Sequence, residues 1–300
     1  MTMPITEATN NPCLFGEVLF DRFPDGAEVL GGAPFNVAWH LQALGCDPLF
    51  ISAVGDDVLG RKVSTSMQQW GMNTTGLQVD SNYPTGTVDI SLSNGEPDFD
   101  IVAGCAYDHI ASSKLPGQQP GLIYHGSLAI REDESRNTLA SLIQSTNAPV
   151  FIDVNLRNPW WQPADVIESL SAARWAKLNN HELAELAAID GDLLAQAEDT
   201  RSRYGLEQLI ITLGKDGAFA IGPQGPTPQI RPTEIDKLVD TVGAGDGFAS
   251  ICILGILHNW DIMTMLERAQ YFASAIVGIR GATPHNTDFY QRFIQQWNLA

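Results

Sequence analysis

Three hundred residues can bury a substantial core, as one large domain or as two. A hydrophobic share of 44% beside 17% charged residues is a globular balance, with no disordered stretch expected beyond the first dozen positions. The excess of 35 acidic over 17 basic residues, a net charge of -18, excludes nucleic-acid binding through clustered Lys and Arg. A phosphate ligand on such a chain depends on backbone donors, a few placed cations and a metal.

Residues 1–12 carry one charge, Glu7, and lack the basic and apolar regions of a secretory signal, so a cytoplasmic protein is expected. Residues 14–20 and 28–30 read as an antiparallel hairpin. A helix follows at 35–44, a strand at 49–53 and a helix at 60–70. A second hairpin is expected from 86–92 and 98–103 around the turn Asn94-Gly95-Glu96-Pro97. Beyond it, unalternating apolar runs at 122–125, 150–154, 173–178 and 209–212 read as strands of a parallel sheet covered on both faces. Helical patterns at 133–144, 163–171 and 192–204 lie between them, and 243–257, 262–280 and 287–297 close the chain. The apolar run at 248–257 is too short to cross a bilayer. Cys13, Cys46, Cys105 and Cys252 are far apart and are expected to be free thiols. This order predicts one three-layer α/β sandwich over 13–298. Segments of about 14–31 and 84–110 form a small antiparallel sheet, read as a lid or as an edge extension or dimer contact.

The chemistry concentrates at a few strand ends and helix starts. In Asp-Thr-Val-Gly-Ala-Gly-Asp, Gly243, Ala244 and Gly245 precede Asp246 at the start of an apolar helix. Open backbone N–H groups and the helix dipole make an anion cradle with a carboxylate at its rim. The alternative is a Gly-rich helix start stabilised by a first-turn Asp. Gly31 and Gly32 let a ligand approach the backbone ahead of Asn36, and Asp21 ends a strand where a carboxylate can accept vicinal hydroxyls; turn glycines and capping groups are the other reading. Asp153-Val154-Asn155-Leu156-Arg157 follows a strand, with Arg157 suited to clamp a phosphate. Asn179 and Glu182 offer oxygens to a hydrated magnesium ion, or Glu182 caps a helix. Thr212, Gly214 and Gly217 lie in a tight turn able to back a nucleotide. No P-loop, dinucleotide fingerprint, G-x-S-x-G or HExxH is present.

Together these stretches resemble the ribokinase-like (pfkB-type) carbohydrate kinases along nearly the whole chain. The resemblance implies a ribokinase-like three-layer α/β/α sandwich with a small β lid. It makes Asp246 the catalytic base, with Gly243, Ala244 and Gly245 as the anion hole. Asp21, Gly31, Gly32 and Asn36 become sugar ligands, joined by Phe99, Tyr107, Asp153 and Arg157. Asn179, Thr212, Gly214, Gly217, Ala244, Gly245 and Ser274 would hold ATP, and Asn179 with Glu182 would be linked to Mg2+. Asp240 and the backbone of Val242 match the family's monovalent-cation position, here K+. The stretches GEVLFD, PTGTVDISL, YDHI, GSLAIR and DVNLRNPWW are similar to fructokinases within that family. Tyr107 stands where they usually carry Trp, Ser274 where many relatives have Asn near the adenine, and Ile251 where a small residue is usual. The implied reaction is ATP-dependent phosphorylation of D-fructose to fructose 6-phosphate, in a possible homodimer formed through the lid. A kinase of 2-keto-3-deoxy sugar acids shares Asp-x-Asn-x-Arg, but residues 84–110 contain no Lys or Arg to meet a carboxylate. A nucleoside kinase of the same fold and a catalytically silent sugar sensor are the remaining alternatives.

Overall fold

The computed structural model describes residues 11–93, 96–232 and 238–299. The central sheet collects β1 (Pro12–Phe15), β4 (Leu49–Gly55), β5 (Leu77–Asp80), β8 (Leu122–His125), β9 (Val150–Asp153), β10 (Trp175–Asn179), β11 (Gln208–Thr212), β12 (Ala218–Gly222) and β13 (Gly225–Pro226). Their order is β13-β12-β11-β10-β9-β8-β1-β4-β5, parallel from β11 to β5, with β12 and β13 antiparallel at one edge.

Alternate side chains of these strands enter two separate cores. Leu14, Tyr124, Phe151 and Trp175 point to one face, while Cys13, Phe15, Ile123, Ile152 and Ala176 point to the other. The first face is covered by α1 (Ala33–Ala43), α2 (Val58–Gln69), α7 (Ala244–Leu257), α8 (Ile262–Val277) and α9 (Thr287–Trp297). The second is covered by α3 (Asp133–Thr146), α4 (Pro163–Ala172), α5 (Asn180–Leu186) and α6 (Leu193–Arg203). Burial on both faces explains why the strands read as unbroken apolar runs. No described helix is long and apolar enough to cross a membrane.

A second sheet, β3-β2-β6-β7, is built from β2 (Leu19–Arg22), β3 (Glu28–Gly31), β6 (Gly86–Ser93) and β7 (Glu96–Ile101). The two expected hairpins are there, β2 with β3 and β6 with β7, and a parallel β2–β6 pairing joins them. Residues 94–95 of the expected turn lie outside the described residues. The register places Val29 opposite Asp21, and Val88 and Ile101 on the same face; one pleat further along, Ile90 and Phe99 share it.

Residues 14–20 are not one strand, as the sequence led us to expect. β1 lies inside the central sheet between β8 and β4, and its ladder ends where Gly16 N–H donates to Ile51 O at 3.1 Å. After Glu17 and Val18 the chain enters the small sheet as β2. Leu14, Val18 and Phe20 share the core on the α1 side of the central sheet, Cys13 and Phe15 enter the opposite core and Leu19 the one under the small sheet, so the apolar run continues across the change of sheet. Helix α8 also stops at Val277, short of 280, and β5, β12 and β13 add strands absent from the expected list.

Candidate active site

Helix α7 begins at Ala244, directly after the loop that holds Asp240 and Gly243. Its cap, Gly243, has φ 79°, and a Cβ there would sit 2.3 Å from the Ala282 Cβ. Only glycine meets both constraints. Gly247 N–H donates to Gly243 O at 2.8 Å, which leaves the earlier N–H groups of the turn outside the helical ladder. Gly243→Ala is expected to cost about 1–3 kcal/mol through left-handed strain alone, with Ala282 unable to yield. Thermal unfolding measures that loss, and steady-state kinetics should show kcat falling more than the KM for the acceptor rises.

Asp246, in the first turn of α7, accepts a 2.8 Å hydrogen bond from Asn36 Nδ2 across 210 residues. A methyl group at Gly31 would lie 3.7 Å from Asp21 Oδ2 and 4.0 Å from Asn36 Oδ1, and that Asn36 oxygen is buried without a partner among the described residues. Asp21, Gly31, Asn36 and Asp246 therefore converge. Gly32, the α1 cap at φ 111°, fits only without a side chain, since a Cβ would stand 2.6 Å from the Glu17 carbonyl oxygen.

Electrostatics single out the carboxylates of this cluster. Burial pushes Asp246 up to about 6; the Asn36 bond, Lys177 and Arg157 pull it down, and Asp153 adds to the rise. Burial also raises Asp21 to about 6. Beneath the helix start, Lys177 Nζ lies 2.8 and 2.7 Å from the two oxygens of Asp153, and 3.8 Å from where a Cβ on Gly245 would sit. Burial opposes the ammonium charge, but Asp153 and Glu182 outweigh it and hold the Lys177 pKa above its usual value.

Other expected site residues take different places. Tyr107 is fully enclosed: its ring packs on Gly86, where a Cβ would be 2.4 Å away, and its hydroxyl accepts from Arg131 at 3.1 Å. Arg131 also grips both oxygens of Asp108 at 2.8 Å and stacks on Trp160. Tyr107 is thus a pillar under the small sheet, enclosed away from solvent. Asp153, 2% exposed, gives its carboxylate to Lys177, so it supports the site from below and does not face a sugar. Phe99 is 56% exposed on the sheet face that carries Asp21.

Arg157 is exposed and donates to Leu156 O at 3.1 Å. Its loop is tied to α5 by Leu156 N–H, which donates to Glu182 Oε1 at 2.9 Å. The other Glu182 oxygen accepts from Asn179 N–H at 2.8 Å, and Asn179 Oδ1 caps α5 in return. Thr212, Gly214 and Gly217 shape the turn from β11 into antiparallel β12, at the end of β11 next to Asn179. Asp240 accepts from Val242 N–H at 3.0 Å and from Gly281 N–H at 3.1 Å, clasping the two loops that meet at Gly243. Ser274 is buried in α8, with a hydroxyl lacking a partner among the described residues.

Residues 6–288 match the family described as pfkB family carbohydrate kinase. The chain belongs to that family. As a member it is a phosphotransferase that uses ATP and a sugar. A fructokinase of Klebsiella pneumoniae is 31% identical over 259 residues, covering 81% of this chain and 83% of the relative. One from Salmonella typhimurium is 28% identical over 305 residues, covering 93% and 98%. An aminoimidazole riboside kinase of Salmonella typhimurium strain LT2 is 28% identical over 286 residues, covering 87% and 86%. The crystal structure of Xylella fastidiosa fructokinase with bound ATP superposes with a TM-score of 0.86 at 20% identity, over 97% of this chain and 99% of the other. Vibrio cholerae O395 fructokinase with fructose, ADP and calcium gives 0.81 at 22%, over 95% and 99%. The fold is ribokinase-like, as the sequence predicts.

Two residues near the site escaped the sequence reading. Lys177 announces itself as the one charge in an otherwise apolar buried strand, Trp-Ala-Lys-Leu. Glu17 stands between apolar runs where the chain changes sheets, a signal legible only once the strand is cut there.

Proposed function

We propose that this kinase transfers the γ-phosphoryl group of ATP to the primary hydroxyl of a neutral sugar, D-fructose foremost. The observation that carries the reading is the 2.8 Å contact of Asn36 with Asp246, which joins the expected sugar-binding stretch to the expected base. A sugar held by Asp21 and Asn36 presents its hydroxyl to Asp246, which accepts the proton as transfer proceeds. The N–H groups of the Gly243–Gly245 turn, among which that of Ala244 makes only a long 3.4 Å bond to Thr241 O, receive charge on the migrating phosphoryl group, and Arg157 reaches its oxygens from the opposite loop. The small sheet closes over the sugar with the face bearing Asp21, Val29 and Phe99, excluding water as a competing acceptor. The expected dimer through that sheet belongs to the same proposal, and sedimentation measures it.

Magnesium fits as a companion of the nucleotide. Each Glu182 oxygen keeps a lone pair beyond its backbone bond, and among the described residues no cluster of three or more His, Cys, Asp or Glu side chains forms a cage. Such a site suits an ion held by phosphates and waters, with Glu182 and Asn179 ordering the waters. When bound, the ion neutralises charge on the phosphate oxygens. K+ at Asp240 and the Val242 carbonyl is proposed on the same footing.

A coupled ADP-release assay tests the assignment with fructose, aldoses, a 2-keto-3-deoxy sugar acid and aminoimidazole riboside as acceptors. The expected result is the highest kcat/KM with fructose. A higher value with the riboside would favour the activity named for the third relative above. Release with none of them would favour the silent sugar sensor.

A further inference from the structure

The loop joining the central sheet to the small sheet carries a carboxylate that the transfer just described does not use. Glu17 is 3% exposed, and its Oε2 has no hydrogen-bond partner among the described residues. Its backbone lies against Gly32, where an added Cβ would stand 2.6 Å from the Glu17 carbonyl oxygen. Two charged groups of the site act on it, the Arg157 guanidinium and the Asp246 carboxylate, and the phenols of Tyr107 and Tyr124 also feel its charge. Arg157 meanwhile spends a single donor on the neighbouring carbonyl of Leu156 and is otherwise turned to solvent.

We propose that Glu17 is a positioning residue for phosphoryl transfer: its unpartnered oxygen anchors the Arg157 guanidinium over the first turn of α7, beside Asp246. This deepens the functional reading above and rests on it. A buried carboxylate with an open lone pair is costly unless a cation or a proton meets it, and a guanidinium fork is the group best shaped to do so. Drawn inward by Glu17, Arg157 leaves solvent and faces the phosphate cradle. Glu17 also lies in the short connection from β1 to β2, so the small sheet and the placement of Arg157 share one residue.

The anchor works only when ionised. Burial lifts Glu17 to about 7, its own and the Ala33 backbone N–H groups and Arg157 oppose the rise, and Asp246 reinforces it. Activity should then gain its clamp as pH rises through about 7 and lose it as pH falls, in the same direction as the ionisation of Asp246 near 6. The wild-type acid limb therefore contains two ionisations.

The experiment compares pH profiles of kcat and kcat/KM for wild type, Glu17→Gln, Arg157→Gln and the double variant, with Asp246→Asn alongside. Glu17→Gln is expected to lower kcat by about 10- to 100-fold, the loss of one charge-assisted contact, and to leave a single acid-side ionisation moved below the wild-type value. Adding it to Arg157→Gln should change kcat by less than about twofold, because both remove one interaction. If Glu17→Gln does not fold, Arg157→Gln alone carries the test, and its upper ionisation should move above that of wild type. An unaltered two-step acid limb in Glu17→Gln, a full additional loss in the double variant, or an unmoved upper ionisation in Arg157→Gln overturns the proposal. Near-native turnover of Asp246→Asn instead overturns the base assignment on which it stands.

Discussion

Asp246→Asn should lower kcat by about 10²–10⁴-fold with the fold and the acceptor affinity retained. The substitution keeps an oxygen that can accept from Asn36 Nδ2, so the 2.8 Å link between α1 and α7 survives. What disappears is the capacity to take a proton from the sugar hydroxyl. Wild-type turnover should fall as pH drops through about 6, because burial holds the carboxylate there and the protonated form cannot act as base. The same shift predicts a stability effect of opposite sense. A carboxylate raised from 3.8 to about 6 on folding favours the native state below its unfolded value, and that contribution is lost as pH rises through about 6. Above that pH the Asn variant should be more stable than wild type, by on the order of 1–3 kcal/mol, and the two should converge in acid. Denaturant unfolding on either side of pH 6 measures this. Equal stabilities at alkaline pH, or near-native turnover, would sink the assignment of Asp246 as a strained, buried base.

Those parts of the fold fixed by burial on two faces were legible in the chain. The runs 122–125, 150–154 and 209–212 became β8, β9 and β11 nearly to the residue, because a parallel strand between two helix layers has no polar side to confuse the pattern. The turn at Gly16 was hidden for the same reason: residues on both sides of it are buried, Leu14, Val18 and Phe20 in one shared core and Cys13, Phe15 and Leu19 in two others, so no exposed position marks the break. Around the candidate site, local signals give the backbone where a single turn makes the feature, as at the helix caps Gly243 and Gly32. They are silent about partners distant in sequence. Tyr107 has the composition of a sugar platform, yet its environment is decided by Arg131 and Gly86, 24 residues ahead and 21 behind. Asp153 looks free in Asp-Val-Asn-Leu-Arg and is claimed by Lys177 only because strand register sets the two side by side. Glu182 and Asp240, expected beside metal ions, also tie neighbouring loops through backbone N–H groups, at Leu156 and Asn179 for one and at Val242 and Gly281 for the other, and no local pattern signals the links to Leu156 and Gly281.

Lys177→Met is expected to cost about 3–5 kcal/mol of stability, the penalty for stranding one member of a buried ion pair. The register of β9 against β10 leaves the Asp153 carboxylate, 2% exposed, with no room to turn to solvent once the ammonium is gone. Pairing the change with Asp153→Leu should restore most of the loss, since two apolar side chains in that slot need no charge compensation. The acid limb separates the two members of the pair. Lys177 lies under Gly245 and pulls the Asp246 pKa down, whereas Asp153 raises it, so in the single Lys177→Met variant the Asp246 step of the acid limb, near 6 in wild type, should move upward and kcat at neutral pH should drop. Removing Asp153 as well takes away the opposing charge, so the double variant should unfold nearly like wild type with that step back at or below its wild-type position. An unmoved acid limb in Lys177→Met would mean that the pair serves the core alone. An upward shift in the single variant that the double variant reverses would show that the charges beneath the helix start tune the base above them.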